Sequence, residues 1–260
     1  PKDMVLPKHR VRDFERRPWW HKAQYEGKPQ LSDPVMLKFR AEGSRVPDQT
    51  DAQLAEMTAN YYSMISQVDH SVGRIMSALE AQGVLDNTLV IYTTDHGENL
   101  GTRGLWAKNT LYEESAGIPL IMAGPDVPQG RVIGDPVTLA DIFPTVLDCV
   151  GVAADPADRD LPGSSLLAGA TQGAMPTRTV LSEYHAASSP SGAFMIRHGR
   201  FKYIHYVGYA PMLFDLENDP HERIDLAGDP THRSDLEACE AALRAILSPE
   251  AVDERARGDQ

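Results

Sequence analysis

The sequence predicts an α/β fold in which helices flank a mixed, mainly parallel sheet, followed by a small antiparallel C-terminal subdomain with a terminal helix. Residues 51–82 show an amphipathic helical pattern, and a short turn and an apolar, β-branched run follow, which together make half of a parallel α/β repeat. After about residue 170, short strand-like runs are separated by glycine or proline. We therefore predict an α/β part over residues 1–170 and an α+β subdomain over residues 171–260.

Residues 1–50 are rich in proline and have no clear periodicity, so we expect an irregular segment that wraps over the surface. The alternative is that part of it lines a substrate pocket through Trp19, Trp20 and His21. From Leu54 to Leu79, apolar residues recur at steps of three and four, which predicts one helix that Thr50 or Asp51 caps and Gly83 ends.

The runs 89–94 and 118–124 resemble parallel strands that are buried on both faces. Residues 138–150 follow with a helical pattern that Gly151 ends. The C-terminal part predicts an antiparallel meander and a last helix over 179–184, 193–197, 201–206, 212–216 and 234–247. Since only two or three parallel strands are found in the α/β part, we expect the chain to be part of a larger domain.

Composition excludes several classes of function. The 260 residues contain 37 acids and 25 bases, a net charge of −12, which disfavours binding to nucleic acid or to an anionic membrane. No apolar run reaches the length of a transmembrane helix. Cys149 and Cys239 show no metal-binding spacing. No targeting segment is present in the printed sequence, which leaves cytoplasmic and periplasmic locations open.

The strongest chemical signal is Asp95-His96-Gly97-Glu98, directly after the first predicted strand. Ligands of open α/β sheets bind beyond the carboxyl ends of the strands. A carboxylate and an imidazole suit a divalent cation, with Ca²⁺ preferred and Mn²⁺ or Mg²⁺ as alternatives. Gly97 would let the backbone turn sharply. The alternative is an ordinary surface pair.

A glycine-bearing loop follows and brings two cations, Arg103 and Lys108, close to the predicted metal site. Lys108 could donate to a non-bridging oxygen of a sulfate or phosphate, although a solvated loop lysine is the simpler interpretation. Arg103, Trp106 and His185 are further candidates for binding the substrate. A structural role for His185 is an equal alternative.

At these residues the sequence resembles a known family. Four segments resemble, in their order along the chain, the C-terminal portion of the sulfatase family in the alkaline phosphatase superfamily. They are the helix ending in Leu79-Glu80-Ala81-Gln82-Gly83, the stretch 87–119, the run 139–147 with its Asp-x-x-Pro-Thr pattern and the run 213–222. The resemblance covers about residues 50–227. Arg103-Gly104-Leu105-Trp106, together with Asp95-His96, is most similar to the choline-sulfatase and phosphonate-monoester-hydrolase branch.

The resemblance implies an alkaline-phosphatase-like fold and a metal-dependent sulfuric ester hydrolase. It implies that Asp95 and His96 bind the metal and that Lys108 contacts the sulfate and assists the leaving group. Family members attack with a formylglycine made from a Cys/Ser-x-Pro/Ala-x-Arg motif. Neither Cys149 nor Cys239 lies in that motif.

We therefore expect the chain to be the C-terminal portion of a formylglycine-type sulfatase, active only with an N-terminal portion that carries the nucleophile. The expected substrate is a small sulfate ester, and we expect the whole enzyme to be a homo-oligomer. The alternatives are a phosphonate monoester or phosphodiester hydrolase of the same superfamily and a non-catalytic, degenerate module that binds a partner.

Overall fold

A computed structural model describes residues 4–6, 17–25, 50–185 and 189–258 of the chain. The described helices are α1 (Trp19–Tyr25), α2 (Asp51–Ala81), α3 (Glu113–Ala116), α4 (Ile142–Cys149), α5 (Leu167–Gln172), α6 (Arg233–Ile246) and α7 (Pro249–Gly258). The described strands are β1 (Val90–Thr93), β2 (Leu120–Ala123), β3 (Thr179–Tyr184), β4 (Ala193–His198), β5 (Phe201–Tyr206) and β6 (Met212–Asp215). Most of the expected wrapping segment 1–50 lies outside the described residues, and the division at residue 170 stays a prediction.

Helix α2 begins and ends where the sequence predicts. Its first turn is closed by a capping box, in which Thr50 Oγ1 accepts from the Gln53 backbone N–H and the Gln53 side chain accepts from the Thr50 N–H. Gly83 follows with φ 68°, a left-handed conformation that glycine adopts without strain. No helix in the described part of the chain combines the length and the apolar character that crossing a membrane requires.

Strands β1 and β2 form where they are predicted, but they pair antiparallel, with Val90 opposite Ala123 and Thr93 opposite Leu120. The expected parallel relation between these two strands is therefore wrong. An apolar run indicates burial and carries no information on direction, and the connection between the strands contains only the four-residue helix α3 instead of a full crossover helix. Tyr92 and Ile121 are also exposed within the described chain, so burial on both faces is not observed.

The C-terminal part is the predicted antiparallel meander, with strand order β3-β4-β5-β6. Side chains alternate between the two faces, and each face packs against a different partner. On one face, Phe194 and Ile196 of β4 contact the side of α6 that carries Cys239 and Leu243. The other face is covered by an apolar cluster that includes Leu105, Leu111 and Tyr112 from the loop between β1 and β2. The mixed α/β class with an antiparallel C-terminal sheet and a terminal helix is confirmed.

Helix α1 packs on the second of these faces. The Trp20 ring lies 5.2 Å from the ring of Tyr206, and the His21 ring lies 5.7 Å from that of Tyr112. Burial, reinforced by the nearby positive charges of Arg17 and Arg103, lowers the pKa of His21 to about 3. His21 is therefore a neutral core residue at physiological pH. Among the described residues, neither His21 nor Trp20 lines the cavity that contains Asp95 and His96.

The Asp-x-x-Pro-Thr pattern is a structural junction. The fully buried carboxylate of Asp141 accepts from the backbone N–H groups of Thr138 and Ser164 and pairs with Arg178, just before β3. Thr145 Oγ1 accepts from the Leu166 N–H at 2.9 Å. These bonds hold α4, the segment before α5 and the start of the C-terminal sheet together.

A buried cluster of charges joins the loop between β1 and β2 to the C-terminal sheet. The Lys202 ammonium on β5 lies 2.8 Å from Glu222 Oε1 and 2.9 Å from Glu113 Oε1. Arg103 lies 3.4 Å from Glu222 Oε2 and donates to the His221 carbonyl at 2.6 Å. Burial raises the pKa of Glu222, although the charges of Lys202 and Arg103 oppose that shift. Because Lys202 and Glu222 are fully buried, each requires the other to compensate its lost hydration.

Replacing Glu222 with Ala tests this cluster. The change leaves Arg103 and Lys202 buried with one carboxylate fewer, so we expect the free energy of unfolding to fall by about 3–5 kcal/mol. Urea titration of the intact protein, followed by tryptophan fluorescence, measures this. The control is Glu237→Ala, which removes a pair with Arg233 whose side chains are exposed, and it should cost less than about 1 kcal/mol. Equal losses in the two variants would contradict the assigned role of the cluster.

Candidate active site

A cleft of about 790 Å³ lies at the C-terminal end of β1. One wall consists of the residues that follow β1 and of the loop up to β2, including Asp95, His96 and Lys108. The edge strand β3, part of β4 and the segment 133–139 supply the other lining residues. The residues singled out for metal and anion binding therefore share one cavity.

Asp95 and His96 point toward each other, with His96 Nε2 3.6 Å from Asp95 Oδ2. His96 Nδ1 lies 2.8 Å from the Gly97 carbonyl oxygen, which can only accept, so Nδ1 is the donor, and in the neutral imidazole Nε2 then presents its lone pair. Partial desolvation acts to raise the pKa of Asp95, but the neighbouring His96 and hydrogen bonds, including one from Thr94, outweigh it and keep that pKa below its ordinary value. A carboxylate and a correctly oriented imidazole nitrogen thus face the same space.

Gly97 is required by a close approach of two backbone segments. A Cβ atom at this position would lie 2.1 Å from the Glu114 carbonyl oxygen, and the Gly97 N–H donates to the Ser115 carbonyl at 2.9 Å. Its φ is not in the left-handed region, so the sharp turn expected from the sequence is not the reason for glycine here. The contact seats the residues after His96 directly on α3.

Lys108 reaches the same point from the far end of the loop. Its Nζ lies 2.5 Å from His96 Nε2, in the direction of the lone pair. The ammonium of Lys108 therefore contacts the imidazole directly within the cleft. The sequence predicted that Lys108 would be near the Asp-His pair but could not give this contact.

A clamp of two side chains fixes the backbone just before Lys108. Glu98 Oε1 accepts from the Ala107 N–H at 2.5 Å and from the Leu100 N–H at 3.2 Å. The buried Asn99 donates to the Ala107 carbonyl through both its side chain, at 2.5 Å, and its backbone N–H, at 3.0 Å. Both the backbone N–H and the carbonyl of Ala107 are thus hydrogen-bonded, which fixes the backbone position of Lys108.

The same loop contains three residues other than glycine in left-handed conformations, namely Leu100 (φ 47°), Arg103 (φ 56°) and Ala107 (φ 62°). Such conformations cost about 1 kcal/mol or more each and persist only where the surroundings impose them. The clamp and the buried charge cluster supply that constraint. The path of this loop is therefore fixed by specific bonds and not by local preference.

Arg103, Trp106 and His185 do not line the cleft in the described part of the chain. Arg103 is buried between Glu114 and Glu222 and stacks over the Tyr112 ring at 4.2 Å. Trp106 lines a separate pocket of about 330 Å³ against α2. His185 pairs with Glu183 at 2.9 Å and lies against Phe194. Arg103 and His185 are held by ion pairs, and a role of the three residues in substrate binding stays a prediction.

The donor set fits part of a site for a divalent cation. Asp95 and His96 offer an oxygen and a nitrogen to one point, and the other nitrogen of His96 is held by a carbonyl, as is usual for metal-bound histidine. Within the described residues, no group of three or more His, Cys, Asp or Glu side chains comes together to bind a metal, at this site or at any other. A complete coordination shell would need further ligands.

Sequence reasoning missed Asn99 and Arg197. No sequence pattern marks Asn99, because its role is to hydrogen-bond the backbone of Ala107, eight residues away. Arg197 follows the apolar residues of β4 and lies in no motif, and only the strand pairing places it on the wall of the cleft.

Comparison with known proteins finds relatives that are sulfatases. A family profile described as "Sulfatase" matches residues 9–152, and one described as "N-sulphoglucosamine sulphohydrolase, C-terminal" matches residues 101–247. Arylsulfatase K of Mus musculus is 36% identical over 189 residues, which are 68% of this chain and 34% of that protein. Choline-sulfatase of Rhizobium meliloti (strain 1021) is 36% identical over 183 residues, 70% of this chain and 35% of that protein.

The solved phosphonate monoester hydrolase of Silicibacter pomeroyi superposes with a TM-score of 0.75 and 27% identity, covering 94% of this chain and 50% of that one. This chain spans about a third of the length of the two curated relatives and half of that structure. The matches confirm the alkaline-phosphatase-like fold and the expected branch.

Replacing Gly97 with Ala tests the close backbone contact between the residue after the Asp-His pair and α3. The added methyl group cannot fit beside the Glu114 carbonyl, so we expect a loss of about 1–3 kcal/mol in the free energy of unfolding as the backbone shifts. Urea unfolding of the intact protein measures this. The control is Gly228→Ala, where a Cβ meets nothing within 4 Å, and it should change stability by less than about 0.5 kcal/mol. If Gly97→Ala is as stable as the control, the close approach is not present.

Proposed function

The chain belongs to the sulfatase family, and we propose that it supplies two metal ligands and an anion-binding lysine to an enzyme that hydrolyses a sulfate ester. The observation that carries the proposal is the convergence of Asp95, His96 Nε2 and Lys108 Nζ in one cleft, each within 3.6 Å of its neighbour. The family supports the sulfate ester as the substrate class.

In this proposal, Asp95 and His96 hold a divalent cation, with Ca²⁺ preferred and Mn²⁺ or Mg²⁺ as alternatives. Such a cation, when bound, polarises the ester oxygens and offsets the charge that develops on them. The Gly97 carbonyl keeps His96 in the tautomer that binds metal. The contact of Gly97 with α3 keeps the pair at the mouth of the cleft.

Lys108 binds the sulfate and stabilises the departing oxygen in this proposal. A cation at His96 Nε2 would repel the ammonium from its present position, and an anionic ester beside that cation would attract it. The clamp on Ala107 keeps the lysine within reach of both positions. An ammonium on a flexible stem suits a role that requires such a short movement.

We further propose that the remaining ligands and the nucleophile come from a portion of the enzyme outside these 260 residues. No Cys/Ser-x-Pro/Ala-x-Arg motif occurs in the sequence, so a formylglycine would have to lie elsewhere. Helix α2 presents Met64, Val68 and Ile75 to solvent, with exposures of 56, 48 and 60%. An apolar face of this size is what a partner within a larger sulfatase domain would cover.

A second candidate function is the hydrolysis of a phosphonate monoester or phosphodiester, which the structural likeness to a phosphonate monoester hydrolase favours. Sulfate and phosphonate esters have nearly the same shape, and the cleft offers the same groups to either. Paired assays of the intact enzyme on 4-nitrophenyl sulfate and 4-nitrophenyl phenylphosphonate separate the two. The proposal expects the higher kcat/KM on the sulfate. A non-catalytic module, the third alternative, would turn over neither.

The metal assignment is tested by Asp95→Ala and His96→Ala in the intact enzyme. Each variant should lose about 10²–10⁴-fold in kcat, since a metal supplies several kcal/mol of transition-state stabilisation. Each should also bind less of the divalent cation by elemental analysis after dialysis, a result that does not depend on turnover. Asp160→Ala, at an exposed position, is the control and should leave both quantities unchanged. Normal metal content and near-normal kcat in Asp95→Ala would disprove the assignment.

A further inference from the structure

Arg197 lines the same cleft as the Asp-His pair. It is on β4, where alternation places it on the same face as Met195, and both residues line the cleft. Strand pairing sets it between Val180 on β3 and Lys202 on β5. Its position is therefore fixed by a hydrogen-bonded sheet and not by a loop.

The other charged groups of the cleft already have partners. Asp95 pairs with His96, Glu113 with Lys202 and Glu183 with His185, while Asp135 accepts from the backbone N–H of Met175. No ion pair with Arg197 occurs in the described part of the chain, and its Nε is buried there without an acceptor. Lys202, the cation beside it on the sheet, is compensated by Glu113 and Glu222.

A partly buried guanidinium without an acceptor is unfavourable, because it gives up water and gains no bond in return. The feature is unusual in a chain with 37 acids and 25 bases, which has carboxylates in excess. Arginine presents a planar fork of donors that matches a carboxylate with two parallel hydrogen bonds. A carboxylate in the cleft would supply the acceptor that Arg197 lacks within the described residues.

We propose that Arg197 forms a second anion subsite, which binds a carboxylate on the alcohol part of the ester. The cleft of about 790 Å³ lies in the range of about 300–1,000 Å³ typical of pockets that enclose a whole small molecule, so it has room for the leaving group as well as the sulfate. Lys108 and the Asp-His pair would hold the sulfate, and Arg197 the carboxylate. The nature of the reacting ester rests on the proposed function, whereas the subsite itself rests on Arg197 alone.

The test compares 4-(sulfooxy)benzoate with phenyl sulfate, which lacks the carboxylate, in the intact enzyme and its Arg197→Gln variant. We expect kcat/KM to fall about 10- to 100-fold on 4-(sulfooxy)benzoate, mainly through KM, and less than about threefold on phenyl sulfate. Arg197→Lys should recover part of the loss because it keeps the charge. Arg233→Gln, at an exposed arginine on α6, is the control and should change neither value.

Binding of 4-sulfobenzoate, measured by calorimetry, keeps the subsite separate from the reaction. If no ester is turned over, the proposed function fails, yet weaker binding to Arg197→Gln than to the unmodified protein, with benzenesulfonate unaffected, still supports the subsite. The subsite would be disproved if Arg197→Gln lost kcat/KM equally on both esters, or if it bound 4-sulfobenzoate as well as the unmodified protein does. If the glutamine variant does not fold, the same ratios in Arg197→Lys decide, since a lysine without the fork must lose selectivity for the carboxylate.

Discussion

The buried ion pairs among Lys202, Glu222 and Arg103 hold the loop between β1 and β2 on the C-terminal sheet. Lys202 and Glu222 are fully buried, and Arg103 is nearly so, which makes each charge dependent on the others. The loop they anchor begins at the Asp95-His96 pair and carries Lys108. The site is therefore built from residues of the α/β part but is kept in shape by a cluster that belongs to both parts of the chain.

Within that loop, local strain and local bonds compensate each other. Ala107 takes a left-handed conformation that its side chain disfavours, and the Glu98 carboxylate and Asn99 hold it there from both sides. The result is the contact between Lys108 and the lone pair of His96. One short segment thus brings a carboxylate, an imidazole and an ammonium together, the groups that a reaction on an anionic ester requires.

The sequence predicted the elements of this fold well where a single pattern decides them. Helix α2, the four strands of the meander and helix α6 follow from periodicity and turn residues, and the Asp-His pair follows from its place after an apolar run. The direction of β2 relative to β1 was predicted wrongly because apolar runs do not encode direction. Arg103, expected near substrate, is buried beside Glu222, a partner 119 residues away that no local pattern reveals. Arg197 escaped notice for the same reason, since only the pairing of β3, β4 and β5 places it in the cleft.

We propose that Asp95 and His96 bind a divalent cation beside the ammonium of Lys108. A crystal structure of the intact enzyme grown with Mn²⁺, with anomalous data collected at the manganese edge, tests this most directly. We expect an anomalous peak about 2.0–2.3 Å from both His96 Nε2 and an Asp95 oxygen, with the Lys108 ammonium moved toward the cleft. A structure in which manganese binds elsewhere while Lys108 stays on His96 would contradict it.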